Sequence, residues 1–516
     1  MEMSIEGRAA KVSAVTGLST ALSICLQVIT VPICLRYWGS DIYGSWLALF
    51  ASFTLIRTVD AGYVGYVGNQ LNMLYYEEQH KLRKTLASAL WGVAVLGLVQ
   101  LTLLMLLYGT DSMSLVNNLQ QGYAQDRKAV VALSILTVSW ILTGSYVGIV
   151  HRLLIPAGMM YQAAWWSLGF QVSQFAALMV AALVNLSLLE TSFLFASVQA
   201  CIYLASAVYI KIKLPNFYPW WAGSDRSTGF TDLYRSVPLT ASGLLQQGGN
   251  SALVMLVSTF LGPIAVAAFT TIRTLCNLWT TLINVLTAPL MPDVVRFYVE
   301  GDSRRLLSIH QAHWLFVGSA VNFSILMAYP FIQSIYALWT RNELPLEKPL
   351  LCLLLGTVSL AGMSALTVTF LSSINNSRFV IVSAGFKGGV SLFLGALLLP
   401  TFGLTGLGIG ILSSEASALV VTVEWFLRNE LARMGGTEVP LSIFWSWVSS
   451  ACVLLYLLTE GFDFPLGSLR YSITLGGLML ATFLGWRCLN PELKTRVLSA
   501  SFAARGITDF AEKTNS

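Results

Sequence analysis

Fourteen apolar stretches of about twenty residues follow one another along this chain. A helix needs about 20 mostly apolar residues to span a membrane. Hydrophobic residues make up 55% of the 516 residues and charged residues only 11%, which is more apolar surface than a soluble core of this size needs. The sequence therefore predicts an all-α, polytopic membrane protein with fourteen transmembrane helices. The predicted spans are 12–35, 43–73, 84–108, 129–150, 161–186, 191–211, 237–261, 264–292, 311–337, 349–372, 379–400, 404–427, 441–459 and 470–487.

The basic residues of the predicted loops set the orientation. Cytoplasmic loops of membrane proteins collect Lys and Arg. Of the 30 Lys and Arg residues, 21 lie on the side of the N-terminus and six on the opposite side. Both termini are therefore predicted to be cytoplasmic. The net charge of +5 follows this loop bias and does not indicate a nucleic-acid partner.

An internal repeat divides the chain into similar halves. The segment LYYEEQHKL at 74–82 returns as FYVEGDSRR at 297–305, and Gly39 falls on Gly262 at the same offset of 223 residues. A fixed-offset match indicates a duplicated half. Because each copy holds six helices, an even number, we expect two six-helix bundles related by a parallel pseudo-two-fold repeat. The predicted regions are an N-terminal lobe at 1–212, a cytoplasmic linker at 213–236, a C-terminal lobe at 237–430, two extra C-terminal helices (13 and 14) at 431–489, and a cytoplasmic tail at 490–516.

Three charged residues on predicted spans are the first candidates for a site. A charge at membrane depth costs at least about 2.5–3.5 kcal/mol on insertion scales, so each one needs a reason. Arg57 and Asp60 are three residues apart on nearly the same helix face, which allows a local ion pair that braces packing, a role in a cavity, or both. Arg273 has no carboxylate within helical reach. We therefore expect Arg273 to line a cavity.

Two further charged residues lie on the predicted spans of the second half. Lys387 is nine residues from Arg378 at the cytoplasmic end, roughly 13 Å deep, so it either snorkels to the interface or lines a cavity. Glu415 is near mid-span, where a lone carboxylate is protonated or paired. Glu415 is therefore the preferred candidate for a proton or cation coupling site, ahead of Asp60.

Uncharged polar side chains are also present within the spans. Interhelical hydrogen bonds and contacts with a sugar explain them equally well. The residues are Gln171, Gln174, Gln246, Gln247 and Asn250.

Several classes of site are not indicated. The seven cysteines and four histidines are scattered without ligand or disulfide spacing, so no metal site is expected. No phosphate loop of the GxxxxGK[ST] type occurs, so the chain has no ATPase of its own. The short outer loops offer no carboxylate pair beside an Arg or His cluster. We therefore expect neither an enzyme nor a cofactor, with proton or sodium coupling left open.

Two stretches carry a resemblance to a known family. The N-terminal run VPICLRYWGSDIYGSWLALFASFTLIRTVDAGYVGYVGNQL and the second-half segments FTDLYRSVPLT and LGPIAVAAFTTIRTL are similar to those of O-antigen and exopolysaccharide repeat-unit flippases. These flippases form the polysaccharide transporter family of the multidrug/oligosaccharidyl-lipid/polysaccharide exporter superfamily. The chain departs from the pattern at Ala268-Phe269, where a Tyr is often found.

The resemblance implies a fold and a substrate. It implies a two-lobed bundle in the bacterial inner membrane whose cationic cavity, lined by Arg57 and Arg273, passes the sugar-diphosphate head of an undecaprenyl-linked glycan. Arginine suits a diphosphate because its planar fork makes paired hydrogen bonds. By analogy with lipid-linked peptidoglycan precursor flippases, helices 13 and 14 hold the polyprenyl tail. A polysaccharide polymerase and a chain-length regulator are the implied protein partners.

Two other functions remain open at this point. A cation-coupled multidrug exporter of the same superfamily would favour carboxylates in the N-terminal half and usually has twelve helices. A membrane glycan polymerase or ligase would act on the same lipid-linked substrate without needing two compartments.

Overall fold

A computed structural model of the chain describes residues 5–77, 79–109, 123–374, 377–435, 441–462, 464 and 469–489. These residues are almost entirely helical and contain no strand. The predicted cytoplasmic tail at 490–516 lies outside them. The α-helices are α1 Ile5–Glu77, α2 Gln79–Gly109, α3 Tyr123–Ser139, α4 Tyr146–His151, α5 Met160–Leu183, α6 Leu188–Lys213, α7 Arg226–Gly243, α8 Gly249–Leu261, α9 Pro263–Thr287, α10 Met291–Val299, α11 Ser303–Thr340, α12 Lys348–Ser373, α13 Ser377–Ala384, α14 Ser391–Val420, α15 Arg428–Arg433, α16 Leu441–Gly461 and α17 Leu469–Arg487.

The predicted spans coincide with helical structure. Within the described ranges, eight helical stretches are long and apolar enough to cross a membrane. Two of these, Ala21–Tyr75 and Ile381–Arg433, contain 55 and 53 residues. At 1.5 Å per residue each contains roughly 80 Å of helix, interrupted at Gly39 or Gly403. This is far more than the ~30 Å of a bilayer core, so each accommodates two of the predicted spans. The prediction of an all-α polytopic fold is confirmed.

Glycines mark the turns between consecutive spans. Gly39 has φ 71° and ψ 175°, and its repeat equivalent Gly262 has φ 81° and ψ −178°. This region of backbone space is essentially restricted to glycine. The two positions that the repeat aligned therefore share one unusual backbone conformation. Gly403, with φ 57° and ψ −143°, separates two spans within α14.

Four π-helical segments interrupt the α-helices of the described chain. A π segment adds one residue to a turn, changes the direction of the side chains around it, and often occurs at functional sites. The segments are Trp140–Ser145, Leu244–Gly248, Gly385–Val390 and Val421–Leu427.

Two compact units of contacting residues make up the chain. The first consists of Met1–Thr274, Ser334–Glu347 and Lys387–Gly410, and the second of Leu275–Gln333, Lys348–Phe386 and Ile411–Ser516. The predicted lobe boundaries stay a prediction. The apolar core of the first unit joins α1, α2, α4 and α6. Its fully buried residues include Tyr63, Leu71, Leu86, Ile149 and Ile210.

Buried polar contacts hold helices together in the second unit. Asn322 of α11 donates to Ser449 Oγ at 2.8 Å and Ser450 Oγ at 3.1 Å on α16, and accepts from Ser359 Oγ of α12 at 2.6 Å. Such hydrogen bonds stabilise helix association where water is absent. The cluster fixes α16, the first of the two extra C-terminal helices, to the rest of its unit. Around it, Trp314 contributes to the apolar core.

The linker between the predicted halves is tied to α2. Lys84 Nζ lies 2.9 Å from Asp225 Oδ2, and the backbone N–H of Asp225 donates to Ser88 Oγ at 2.9 Å. Asp225 also accepts from Ser227 N–H as the N-cap of α7 and from Thr228 Oγ1. The hydrogen bonds from Thr228 and Lys84 hold the pKa of this carboxyl below its usual range. The cap starts α7 well before the predicted span at 237–261.

Candidate functional site

Asp60 is the centre of a buried polar cluster in the first unit. Its side chain is 1% exposed. Trp140 Nε1 donates to Asp60 Oδ2 at 3.0 Å, and Ser145 Oγ donates to the same oxygen. Trp140 and Ser145 are the first and last residues of a π segment, so the extra residue in that turn brings both donors to one carboxylate oxygen. The other oxygen, Oδ1, has no hydrogen-bond partner among the described residues.

Arg57 lies one turn from Asp60 but forms no ion pair with it. In the described chain its guanidinium has neither a carboxylate within 4.0 Å nor a hydrogen bond, and its central carbon lies 4.7 Å from the Trp140 ring centroid. Phe53 is a second ring, at 6.0 Å. Trp140 therefore contacts both charged residues: its ring faces the Arg57 guanidinium, and its N–H donates to the Asp60 carboxylate. The five N–H donors of Arg57 stay available to an anion.

Arg57 lines a small cavity. Its volume is about 20 Å³, which is enough for one water molecule. Polar groups from four other helical elements complete the wall. They are Ser139, Trp140, Thr143, Gln174, Gln199 and Tyr203.

Larger cavities adjoin this one on two sides. A cavity of about 380 Å³ shares Trp140 and Tyr203 with it and is lined by Arg152. Another of about 400 Å³ shares Gln174 and Phe195 with it. The Arg57 cavity therefore shares part of its wall with each of these two larger cavities.

The structure adds two residues that sequence reasoning placed elsewhere or left out. The sequence placed Arg152 among the cytoplasmic loop charges. In the structure it begins a 3₁₀ turn on the wall of the 380 Å³ cavity. It has no ion-pair partner among the described residues. In the sequence, Trp140 is indistinguishable from any other aromatic residue of a predicted span. Its proximity to Arg57 and Asp60 depends on the π segment, which hydrophobic periodicity does not reveal.

Arg273 lies on α9 and belongs to the first unit. Its guanidinium carbon is 5.9 Å from the Phe269 ring centroid, and no carboxylate in the described chain lies within 4.0 Å of it. None of the three cavities includes Arg273 in its wall. Its predicted role in a cavity remains a prediction.

Lys387 lies where two π segments meet. It is half-buried within Gly385–Val390. A Cβ added to the neighbouring Gly388 would come within 2.2 Å of the Leu245 carbonyl oxygen, and Leu245 belongs to the π segment Leu244–Gly248. The two backbones are therefore in direct contact, and only glycine fits at position 388. The side chain of Gln246 in the same segment is not among those described.

Glu415 is buried in the second unit. Its side chain is 7% exposed, and Ser364 Oγ of α12 donates to Glu415 Oε1 at 3.5 Å. The two coupling candidates, Asp60 and Glu415, thus belong to different units. Within the described residues, no group of three or more His, Cys, Asp and Glu side chains is placed to hold a metal ion.

No protein-family model matches this chain, and neither does any curated protein. Solved structures do match it. An inward-facing multidrug resistance MATE family transporter of the MOP superfamily aligns with a TM-score of 0.63 and 15% identity, over 81% of this chain and 96% of its own. The lipid II flippase MurJ in an inward closed conformation aligns with a TM-score of 0.62 and 14% identity, over 91% and 97%.

A third structure is a MOP superfamily transporter from Pyrococcus furiosus, described as having a binding pocket of reverse polarity. It aligns with a TM-score of 0.58 and 16% identity, over 83% of this chain and 97% of its own. The fold is that of MOP superfamily transporters. At these identities the likeness concerns the fold, and all three neighbours are named as transporters or flippases rather than enzymes.

Proposed function

We propose that this chain is a flippase for undecaprenyl-diphosphate-linked oligosaccharides. It moves repeat units from the cytoplasmic to the periplasmic leaflet of the bacterial inner membrane by alternating access, for O-antigen or exopolysaccharide assembly. Both termini lie in the cytoplasm. Its partners are the lipid-linked glycan, a polysaccharide polymerase and a chain-length regulator.

The observation that carries the proposal is the state of Arg57. A buried or half-buried cation in a membrane helix is normally neutralised by a carboxylate. Here the nearest candidate, Asp60, is bound by Trp140 and Ser145 instead, so the guanidinium is free to hold an anion. Its planar donor fork matches the paired oxygens of a diphosphate.

The proposal assigns an order of contacts to the cations. Arg152 receives the diphosphate first, from the cytoplasmic side, and Arg57 holds it next, because the two cavities share Trp140 and Tyr203. At about 20 Å³ the Arg57 cavity is too small for a diphosphate in this conformation. Transport therefore requires Trp140 to move away from Arg57. Arg273 and Lys387 are proposed to complete the cationic path, and Asp60 and Glu415 to couple it to protons or sodium.

A cation-coupled multidrug exporter is the second candidate. Two observations favour it: the named function of the MATE neighbour, and a buried carboxylate, Asp60, in the N-terminal half. The lipid II flippase covers 91% of this chain and that exporter 81%, so the fold is compatible with both candidates.

A deletion strain separates the two. Loss of a flippase leaves undecaprenyl-linked repeat units on the cytoplasmic face of the inner membrane and removes surface polysaccharide. Sidedness is measured by periplasmic access of a lectin or a glycosidase to the lipid-linked sugar in spheroplasts. Single repeat units exposed on the periplasmic face would contradict the proposal and indicate a polymerase. Unchanged surface polysaccharide combined with new drug sensitivity would indicate the exporter.

A further inference from the structure

The cavity of about 400 Å³ beside Arg57 has an unusual lining for a membrane protein. Five uncharged hydrogen-bonding side chains face it, and none of its lining residues carries a charge. The volume falls in the ~300–1,000 Å³ range of small-molecule sites. The five side chains come from two helices, α1 and α5. They are Ser23, Gln27, Thr30, Gln171 and Gln174.

The polar face of α5 points away from the lipid. Gln171 and Gln174 are three residues apart and share one face of the helix. Val172, Val180 and Leu183 are 41%, 48% and 53% exposed and lie on a face roughly 140° away at 100° per residue. The amides therefore face the interior of the first unit.

The first part of α1 is divided in the same way. Ser23, Gln27 and Thr30 follow the spacing i, i+4, i+7 of a single helix face. Leu18 and Ile29, which are 52% and 44% exposed, lie on a face roughly 130° away. The polar faces of two amphipathic helices, α1 and α5, thus line one cavity.

The amide groups retain unused hydrogen-bonding capacity. Ser23 Oγ donates to Gln171 Oε1 at 2.7 Å, which leaves both N–H donors of Gln171 without an acceptor in the described chain. Gln174 Nε2 donates to Gln199 Oε1 at 3.3 Å, so the carbonyl oxygen of Gln174 stays available. Gln27 forms no hydrogen bond within the described ranges and is exposed. Donors and acceptors therefore both reach the cavity.

Aromatic rings form the other wall. Trp46 and Phe50 stack with ring centroids 5.9 Å apart, and Phe195 meets them edge-on at 5.7 Å and 5.6 Å. An aromatic face is electron-rich and packs against the C–H groups of a flat ligand. An aromatic wall opposite amide side chains suits a ligand that has an apolar face and hydroxyl groups around its edge.

We propose that this cavity binds an uncharged pyranose ring of the transported glycan, the sugar nearest the diphosphate. This inference rests on the proposed function. A pyranose offers hydroxyl groups that both donate and accept, and C–H faces that pack on aromatic rings. Neutral amides bind hydroxyls without the cost of removing water from a charge. Gln174 and Phe195 belong to both this cavity and the Arg57 cavity, so a sugar here lies next to a diphosphate on Arg57.

Two soluble probes test the inference on the full-length protein in nanodiscs. The first is farnesyl diphosphate, and the second is farnesyl diphosphate linked to one N-acetylglucosamine. Affinities are measured by isothermal titration calorimetry. We expect the sugar-linked probe to bind more tightly by about tenfold, the value of one or two neutral hydrogen bonds plus ring packing.

Substitutions at the polar face locate the effect. Gln27→Ala removes an amide that holds no other residue in the described chain, and it should reduce the preference for the sugar-linked probe about two- to tenfold while leaving the bare probe unchanged. Val172→Ala, on the opposite face of α5, is the matched control and should change neither affinity. Gln171→Ala should act like Gln27→Ala, provided the variant keeps its thermal stability without the Ser23 bond.

Three outcomes would overturn the inference. Equal affinity of wild-type protein for the two probes would leave no role for a sugar site, while bare diphosphate binding would keep the proposed function intact. An unchanged preference in Gln27→Ala would place the sugar elsewhere. An equal loss of affinity for both probes in Gln27→Ala would assign the cavity to the farnesyl tail that they share. Failure of both probes to bind at all would instead count against the proposed function.

Discussion

Equivalent positions in the two halves of this molecule share a backbone turn but differ in chemistry. Gly39 and Gly262, equivalent in the repeat, have nearly the same φ and ψ. Shifted by the same 223 residues, Asp60 becomes Ile283 and Trp140 becomes Met363, which are 2% and 1% exposed. Thus a buried carboxylate bound by an indole in one half corresponds to an apolar core in the other.

This difference shows that the positions equivalent to Asp60 and Trp140 have a packing role in the second half. In the second half, Ile283 lies beside Gly362, where an added Cβ would be 3.6 Å from Ile283 Cδ1, and Met363 accepts from Ser450 Oγ of α16 at 3.1 Å. These contacts pack α9, α12 and the extra helix α16 together. In the first half the equivalent positions, Asp60 and Trp140, are joined by a hydrogen bond beside Arg57. The proposed anion path is therefore asymmetric, although the fold is duplicated.

The largest expected effect comes from placing the first half's carboxylate in the second half. Ile283→Asp places a carboxyl group at a position that is 2% exposed, and we expect a loss of several kcal/mol. The Tm of purified protein, followed by fluorescence-detected size exclusion, checks this. Asp60→Asn is the matched variant and should keep most of its stability, because an amide oxygen still accepts from Trp140 and Ser145. Equal stability of Ile283→Asp and wild type would mean that polar groups around position 283 accommodate a carboxylate, as they do around Asp60.

Trp140→Phe sharpens the comparison at the indole. Phenylalanine keeps a ring beside Arg57 but loses the N–H that binds Asp60, and a hydrogen bond to a charged group is worth about 1.5–3 kcal/mol. We expect a lower Tm and reduced transport, measured as surface glycan. Met363→Leu, a volume-conserving change at the equivalent position, should cost less than about 1.5 kcal/mol and preserve transport. Equal transport by the two variants would remove the functional distinction between the halves.

The polar cluster of the second unit should behave as a structural feature. Asn322→Ala removes three interhelical hydrogen bonds around α16, and membrane double-mutant cycles give about 0.6 kcal/mol for such a contact. We expect a modest fall in Tm with surface glycan retained. Loss of transport without loss of stability would show that the Asn322 cluster itself contributes to the transport path.

The smallest effect concerns the linker between the halves. Because the folded-state pKa of Asp225 lies below its unfolded value, its stabilising contacts are present at neutral pH and are lost as pH falls below the usual carboxyl range of about 4. The Asp225 side chain is partly open to solvent, so the change is small. Asp225→Asn should lower Tm slightly at pH 7 and by less at pH 3. A larger destabilisation at pH 3 than at pH 7 would contradict this sign.

Much of the fold was predictable because it depends on local composition. Spans of about twenty apolar residues, and glycines at equivalent offsets, identify helices and turns directly from the order of residues along the chain. Arg57 and Asp60 were also predictable as candidates, since a charge in a span is costly. Their separation was not predictable, because it depends on a distant π segment that brings Trp140 between them.

The cavities were equally inaccessible to sequence reasoning. Arg152 follows a predicted span and resembles an ordinary loop charge, and only the packing of α4 and α5 places it on a cavity wall. Gln171 and Gln174 were ambiguous between helix packing and sugar binding. Gln171 accepts from Ser19 and Ser23 of α1, and Gln174 donates to Gln199 of α6. Both amides keep further hydrogen-bonding capacity toward a cavity, so packing alone does not use all of their polar atoms.

The central claim is that Arg57, in one half only, holds the anionic head of the substrate. It is tested by surface glycan in a deletion strain that carries Arg57→Ala, Arg57→Lys or Thr280→Ala, with membrane levels of each protein measured in parallel. Thr280 is the repeat equivalent of Arg57 and is exposed. We predict that Arg57→Ala abolishes surface glycan, that Arg57→Lys restores part of it because a point charge replaces the fork, and that Thr280→Ala matches wild type. Normal surface glycan in Arg57→Ala at wild-type protein levels would contradict the account.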